Sequence, residues 1–115
     1  MKCGIDIVDV KRFENLSQHF KERIFTAEEI EYCEGKVNPS ESFAGIFAAK
    51  EAFFKAIGTG ILNGIAFHEI SVCHNTNGRP FFKLSQHVGI NADKVDLSIS
   101  HTADKAVAMC VISER

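Results

Sequence analysis

Three charged side chains in this 115-residue chain have types and spacings that could support chemistry. Glu51 and Lys55 are four residues apart in the stretch SFAGIFAAKEAFFKAIGTG (residues 42–60), so a helix would bring this carboxylate and this ammonium group onto one face. The simpler interpretation is an ordinary helix ion pair, which contributes about 0.3–0.5 kcal/mol. Asp6 lies in the β-branched run KCGIDIVDV (residues 2–10), where a carboxylate either stands at an exposed strand end or meets a cation.

His101 is a fourth candidate, because it ends a predicted strand within the sequence SISHT (residues 98–102). Its polar neighbourhood could receive a phosphate, and it consists of Ser98, Ser100 and Thr102. A lone histidine after a strand is more often an ordinary surface residue. These residues alone therefore leave both a phosphate contact and a surface position open.

The stretch that carries Glu51 and Lys55 is predicted to be the central helix. It is rich in alanine, a strong helix former, with Ser42 as the predicted N-cap and Gly58 as the left-handed residue that ends it. Apolar side chains occupy nearly every turn, so most of the helix surface is predicted to be buried. They are Phe43, Ile46, Phe47, Phe53, Phe54 and Ile57.

The other elements follow from capping signals and from a change in hydrophobic period. Thr26 and Glu29 form a predicted capping box that opens a helix reaching about residue 34. Helical patterns also cover residues 10–16 and 18–24, whereas loops or short turns are predicted at 35–40, 61–66 and 85–94. The predicted strands span residues 2–10, 67–73, 79–84, 95–100 and 106–112. Residues 67–84 form a β-hairpin with a turn at 75–78, and Pro80 places its second strand at an edge.

This order of elements predicts an α+β fold, in which a helical first half packs on one face of an antiparallel β-meander and the N-terminal strand lies nearby. At 115 residues and 45% hydrophobic content, the chain is predicted to be one domain spanning residues 1–115. We predict no membrane span, because the longest apolar run, residues 106–112, is far below the roughly 20 residues that one needs. The N-terminus is charged, unlike a signal peptide, and four cysteines without a CxxC pair indicate reduced thiols in the cytoplasm.

The formal charge of −2 excludes wholesale nucleic-acid binding, so any basic surface must be local. One modest basic surface is predicted in the helical region, and it consists of Arg12, His19, Lys21 and Arg23. Such charges are usually just solvated.

Four sequence segments, taken together, resemble one known family. They are the GxD of Gly4 and Asp6, the block FAAKEAFFKAIGTG (residues 47–60), the turn NGRP (77–80) and SISHT (98–102). GxD and SISH are weak signals alone, but all four in this order and at these separations are specific. From end to end, the chain resembles the holo-[acyl-carrier-protein] synthases, the short bacterial class of 4′-phosphopantetheinyl transferases.

The resemblance implies an enzyme that moves the phosphopantetheine arm of coenzyme A to a serine of apo-acyl carrier protein, with Mg²⁺, and releases 3′,5′-ADP. It implies that Asp6 and Glu51 hold the metal and that Glu51, Lys55 and His101 are catalytic. Glu51 would be the base, directly or through a metal-bound water. It further implies contacts to coenzyme A from Lys50, Lys55, Gly58, Arg79, Pro80, Ser100, His101 and Thr102. Arg12 and Arg23, with Lys21 in support, would dock the acidic carrier.

The resemblance also implies a homotrimer, in which His101 of one chain faces Asp6, Glu51 and Lys55 of its neighbour. One residue departs from the family pattern: Ile46 stands where these enzymes commonly have Arg, which predicts weaker coenzyme A binding rather than lost chemistry. Three alternatives to this transferase come from other classes. They are a non-catalytic module that binds coenzyme A or a carrier, a structural interaction domain, and a different magnesium-dependent nucleotide-phosphate hydrolase.

Overall fold

The computed structural model describes residues 1–58 and 64–113, and its longest element is the central helix. This helix, α3, spans Pro39–Ile57, with Asn38 at the N-cap. The predicted N-cap at Ser42 is therefore wrong, because Pro39, whose fixed φ suits the first helical turn, begins the helix three residues earlier. The predicted end is confirmed: Gly58 is left-handed, with φ 86°, and its N–H donates to the Phe54 carbonyl. Residues 59–63, which include the first half of the predicted connection 61–66, lie outside the described residues.

Two shorter helices precede α3. They are α1, Gln18–Ile24, and α2, Ala27–Glu34. The capping box of α2 is confirmed, because the Thr26 hydroxyl accepts from the Glu29 N–H at 3.2 Å and the Glu29 carboxylate accepts from the Thr26 N–H at 2.8 Å. The helix predicted at residues 10–16 is reduced to a single 3₁₀ turn, Val10–Phe13. In the part of the chain that the structure describes, no helix is long and apolar enough to cross a membrane.

The strands form two antiparallel sheets. Strand β1, Lys2–Asp9, pairs with β5, Lys105–Ile112, which also pairs with β4, Val95–His101. Strands β2, Ile70–His74, and β3, Pro80–Leu84, form the separate hairpin. The α+β class and the hairpin are confirmed, but the strands do not form one continuous meander. The first hairpin strand also begins later than predicted, because Phe67–Glu69 forms a 3₁₀ turn.

Gly4 sets how closely β1 approaches α3. A Cβ atom at this position would lie 2.1 Å from the carbonyl oxygen of Ala52 and 2.7 Å from the backbone N of Ala56, so only glycine fits. Side chains two residues apart on a strand share a face. The same close packing therefore turns Asp6 toward α3.

Candidate active site

Asp6, Glu51 and Lys55 meet where β1 packs on α3. The Lys55 ammonium lies 2.9 Å from a carboxylate oxygen of Asp6 and donates to the Ile5 carbonyl at 3.1 Å. Lys55 thus pairs with the strand carboxylate, and the ordinary helix ion pair with Glu51 is not the contact that forms. Asp6 therefore pairs with a cation, the Lys55 ammonium, which was one of the two possibilities that the sequence left open.

The charges in this cluster shift the protonation of Glu51. Burial raises the pKa of the Glu51 carboxyl, and the negative charge of Asp6 raises it further, while the positive charges of Lys55 and Arg12 oppose the increase. Two carboxylates are therefore close enough to repel each other. The cluster, defined by Asp6, Glu51 and Lys55, is called the carboxylate site below.

The carboxylate site suits a hard divalent cation better than a zinc-type ion. Its oxygen donors come from Asp6 and Glu51, and Mg²⁺ typically takes one or two carboxylates together with water and substrate phosphate oxygens. A bound cation would also relieve the repulsion between the two carboxylates. Among residues 1–58 and 64–113, no group of three or more His, Cys, Asp or Glu side chains is arranged to hold a metal. The donor set thus fits a metal that is shared with a phosphate ligand.

His101 lies at a second position, at the end of β4. Its Nδ1 is 3.0 Å from a carboxylate oxygen of Glu41, a residue in the first turn of α3. A pocket of about 170 Å³ adjoins the pair, and it is lined by Tyr32, Ser42, Gly45, Ile46, His74, Gly78, Pro80, Ile99 and His101. The pocket and the Glu41–His101 pair are called the histidine site below.

The two sites are separated within one chain. Glu41 and Glu51 are ten residues apart on α3, which corresponds to about 15 Å along the helix axis. In the sheet, His101 is two strands away from Asp6 and two residues out of register, a separation of roughly 12 Å between Cα atoms. The structure therefore brings Asp6, Glu51 and Lys55 together, but it does not bring His101 to them.

Lys50 is not a surface residue, so its predicted contact with coenzyme A is wrong. Its ammonium is completely buried, 2.6 Å from the equally buried Glu29 carboxylate, and donates to the Ile24 and Phe67 carbonyls at 2.8 and 3.0 Å. Burial lowers the pKa of Lys50, and the charge of Glu29 opposes that shift. The helical spacing contained this signal, because Lys50 shares the apolar stripe with Phe47, three residues before it.

The other predicted coenzyme A contacts lie around the histidine site, with two exceptions. Pro80 lines the pocket with His101, and the exposed side chain of Arg79 precedes it, 4.0 Å from Asp96. Ser100 is exposed beside His101, and the Thr102 hydroxyl accepts from two backbone N–H groups of the β4–β5 turn. The exceptions are Lys55, which belongs to the carboxylate site, and Gly58, which ends α3 one turn beyond that site.

The predicted basic surface is only partly available. Arg12 and Arg23 are exposed, and the Arg12 guanidinium lies over the rings of Phe13 and Phe47, 5.6 Å from each centroid. Lys21 is paired with Glu34 at 2.9 Å, and its supporting role in docking stays a prediction. Since the charge of Arg12 acts on Glu51, this part of the surface borders the carboxylate site.

Sequence reasoning missed Glu41 and Glu29. Glu41 was hidden by the incorrect N-cap at Ser42, which left Glu41 outside the predicted helix. The signal that could have found it is the Asn-Pro pair at residues 38–39, a common way to begin a helix. Glu29 was assigned only to its capping box, although its carboxylate also accepts from the Val72 N–H at 2.6 Å.

Comparison with known proteins identifies the class to which this fold and site belong. The family model of the 4′-phosphopantetheinyl transferase superfamily matches residues 2–110. A holo-[acyl-carrier-protein] synthase of Chloroherpeton thalassium is 41% identical over 117 residues, which cover 97% of each chain. The chain therefore belongs to the 4′-phosphopantetheinyl transferase superfamily, and within it to the holo-[acyl-carrier-protein] synthases.

Solved structures agree with this assignment. The holo-[acyl-carrier-protein] synthase of Neisseria meningitidis has a TM-score of 0.86 and 35% identity, with 98% of each chain covered. That of Bacillus anthracis, in complex with coenzyme A (3′,5′-ADP), has a TM-score of 0.81 and 38% identity, covering 96% of this chain and 94% of the other. The predicted family and the α+β fold are thus confirmed.

Proposed function

We propose that this protein transfers the 4′-phosphopantetheine group of coenzyme A to a serine of apo-acyl carrier protein. The serine oxygen forms a bond to the phosphorus next to the pantetheine arm, and the bond from that phosphorus to the oxygen of 3′,5′-ADP breaks. The serine proton passes to a base. The observation that carries the proposal is the carboxylate site in a chain of this family, because a passive module that binds coenzyme A or a carrier has no need of two repelling carboxylates.

Asp6 and Glu51 are the residues that would hold Mg²⁺. The bound ion would neutralise pyrophosphate oxygens and withdraw charge from the phosphorus under attack. Lys55 compensates the charge that develops on the leaving 3′,5′-ADP. Glu51 also accepts the serine proton, directly or through water.

We further propose a homotrimer in which the carboxylate site of one chain faces the histidine site of its neighbour. The separation of the two sites within one chain supports this arrangement. A second support is the outer face of the three-stranded sheet, where Ile5, Ile7 and Met109 remain 59%, 63% and 46% exposed. Cyclic head-to-tail contacts would cover that apolar face and complete three equivalent sites.

The carrier docks, in this proposal, on the exposed Arg12 and Arg23 beside the carboxylate site, where positive charges accelerate the approach of an acidic partner. Arg12→Glu is expected to raise the KM for the carrier most strongly at low ionic strength, since salt screens exposed charges. If this variant and the unmodified enzyme depend equally on carrier concentration at low salt, the proposed docking surface is wrong.

Free cysteines support a reducing compartment, which we take to be the cytoplasm.

The function is tested by incubating the protein with coenzyme A, Mg²⁺ and apo-carrier and recording the intact mass of the carrier. Glu51→Gln and Asp6→Asn are expected to abolish the phosphopantetheine adduct while remaining folded. A thermal melt gives a readout that does not depend on activity: Mg²⁺ with coenzyme A should raise the Tm of the unmodified protein and not that of Glu51→Gln. If the protein of the original sequence adds no phosphopantetheine to the carrier, the result would favour a binding module or a hydrolase.

Shared sites are tested by complementation. Glu51→Ala and His101→Ala are prepared separately, shown to be inactive, and then unfolded and refolded together. Random reassembly leaves about a quarter of the interfaces with both residues intact, so about a quarter of the original activity should return. If each site were built from one chain, mixed trimers verified by mass would recover no activity.

A further inference from the structure

Glu41 places a carboxylate against His101 before any ligand is bound. Its Oε1 lies 3.0 Å from Nδ1 of His101, and its side chain is 21% exposed, against 42% for His101. Glu41 is in the first turn of α3, where the helix dipole favours a negative charge. The carboxylate is therefore held on a rigid element, while the histidine stands at the end of β4.

We infer that Glu41 is a positioning residue for His101 in the transfer reaction, an inference that rests on the proposed function. Glu41 accepts a hydrogen bond from Nδ1–H, which fixes the orientation of the ring and directs Nε2 to the ligand. With Nδ1–H donating to Glu41, Nε2 faces a phosphate oxygen of coenzyme A and donates to it when that nitrogen also carries a proton. Glu41 thereby acts on the substrate only through His101.

The position of the pair distinguishes it from a simple clamp between a helix and a strand. His101 also lines the pocket beside the pair, so the same ring contacts Glu41 and the space that a ligand would enter. A second pair of the same chemistry, His87 with Glu69 at 2.6 Å, serves as a control, because the pocket at the histidine site is not lined by either residue. In that pair Glu69 also accepts from the Ala66 N–H, so it has a local structural role.

The test is a double-mutant cycle with Glu41→Gln, His101→Ala and the double variant, and with His87→Gln as the matched control. His101→Ala is expected to lower kcat/KM for coenzyme A by roughly 10²–10³-fold, the range for the loss of one preorganised donor. Glu41→Gln is expected to lower it by roughly 10–100-fold, as is typical of an outer partner of a functional histidine. The double variant should match His101→Ala within roughly twofold, because Glu41 has no effect once its histidine is gone.

Two further measurements separate positioning from folding. Titration with coenzyme A and Mg²⁺ should show the same non-additive pattern in affinity. The ¹⁵N shifts of the His101 ring should change in Glu41→Gln, while those of His87 do not. His87→Gln should leave kcat/KM within roughly twofold of the unmodified enzyme, because breaking an exposed pair away from the site has little effect.

Independent effects that multiply in the double variant would overturn the inference, as would a Glu41→Gln variant with unaltered kinetics or ring shifts. A change of equal size in His87→Gln would do the same, because it would trace the loss to general destabilisation. If the unmodified enzyme leaves the carrier unmodified, the proposed function fails. The coenzyme A titrations of the same cycle still decide whether Glu41 acts through His101.

Discussion

Replacing Lys50 by methionine removes one half of an ion pair that is fully buried in the core. The Glu29 carboxylate would keep its two backbone donors, the N–H groups of Thr26 and Val72, but would lose the ammonium 2.6 Å away. Two backbone carbonyls, of Ile24 and Phe67, would lose their partner as well. Removing one partner of a buried pair costs about 3–5 kcal/mol, because the remaining charge is uncompensated.

That loss is large for a chain of this size, since a typical domain is stable by only about 5–15 kcal/mol. At a urea dependence of roughly 1.5 kcal/mol per molar, the unfolding midpoint should fall by roughly 2–3 M. All variants are compared at one protomer concentration, because assembly would couple stability to concentration. The matched control is Lys83→Met, which breaks a pair with Glu28 that is more than 60% exposed on both sides and should cost less than about 1 kcal/mol.

A second substitution tests the cause. Adding Glu29→Gln to Lys50→Met removes the uncompensated charge. The single amide oxygen can accept from only one of the two N–H groups that now bind separate carboxylate oxygens, so the double variant should recover only about 1 kcal/mol relative to Lys50→Met. A loss below about 1 kcal/mol in Lys50→Met, or no recovery in the double variant, would refute the electrostatic explanation. The destabilisation would then have to come from packing alone.

Three further predictions concern single positions. Glu51→Gln should raise the Tm at pH 7 in the absence of metal. Burial, and then the charge of Asp6, hold the pKa of Glu51 above its ordinary 4.5, so ionisation of this carboxyl opposes folding once the pH exceeds the raised pKa. The gain in Tm should vanish below pH 4.5, where Glu51 is protonated in both the folded and the unfolded chain. Gly4→Ala should cost about 3 kcal/mol or more in urea unfolding, because its Cβ would meet the Ala52 carbonyl, whereas in the control Gly35→Ala the nearest contact is 3.5 Å. Ile46→Arg should lower the KM for coenzyme A about tenfold with kcat unchanged, since a charged hydrogen bond contributes about 1.5–3 kcal/mol.

Each of these predictions can be contradicted by one measurable outcome. A Tm gain in Glu51→Gln that stays constant from pH 4 to pH 8 would show that ionisation is not its origin. Gly4→Ala and Gly35→Ala of equal stability would contradict the close approach of β1 to α3. An unaltered KM in Ile46→Arg, measured on a folded variant, would mean that position 46 does not face the bound coenzyme A.

Local signals in the sequence were sufficient for most elements but not for their pairing. The capping box at Thr26 and the left-handed Gly58 depend on neighbouring residues only, and both were predicted. The division of the strands into two sheets depends on long-range pairing, in which β5 joins β1 to β4. Periodicity indicates which residues form strands and carries no information about which strands are neighbours.

The candidate site shows the same limit at the level of single side chains. Spacing correctly put Glu51 and Lys55 on one helix face, but the partner of Lys55 is Asp6, 49 residues away in sequence. Lys50 was predicted to contact coenzyme A from the family resemblance, as a possible replacement for the Arg that these enzymes commonly have at the position of Ile46. A charged residue is rarely buried without a partner, so the burial of Lys50 depends on a partner outside the motif. Its partner, Glu29, lies on a different helix, and spacing within α3 cannot indicate that contact.

The buried pair also explains how one helix can serve both the core and the carboxylate site. Consecutive residues on an α-helix point about 100° apart, so the direction of Glu51 is determined once Lys50 is fixed. Lys50 is fixed by three contacts from three parts of the chain: Glu29 of α2, and the carbonyls of Ile24 and Phe67. A rotation of α3 that turned Glu51 away from Asp6 would have to break all three. Contacts in the core therefore hold the two carboxylates of the site close together against their mutual repulsion.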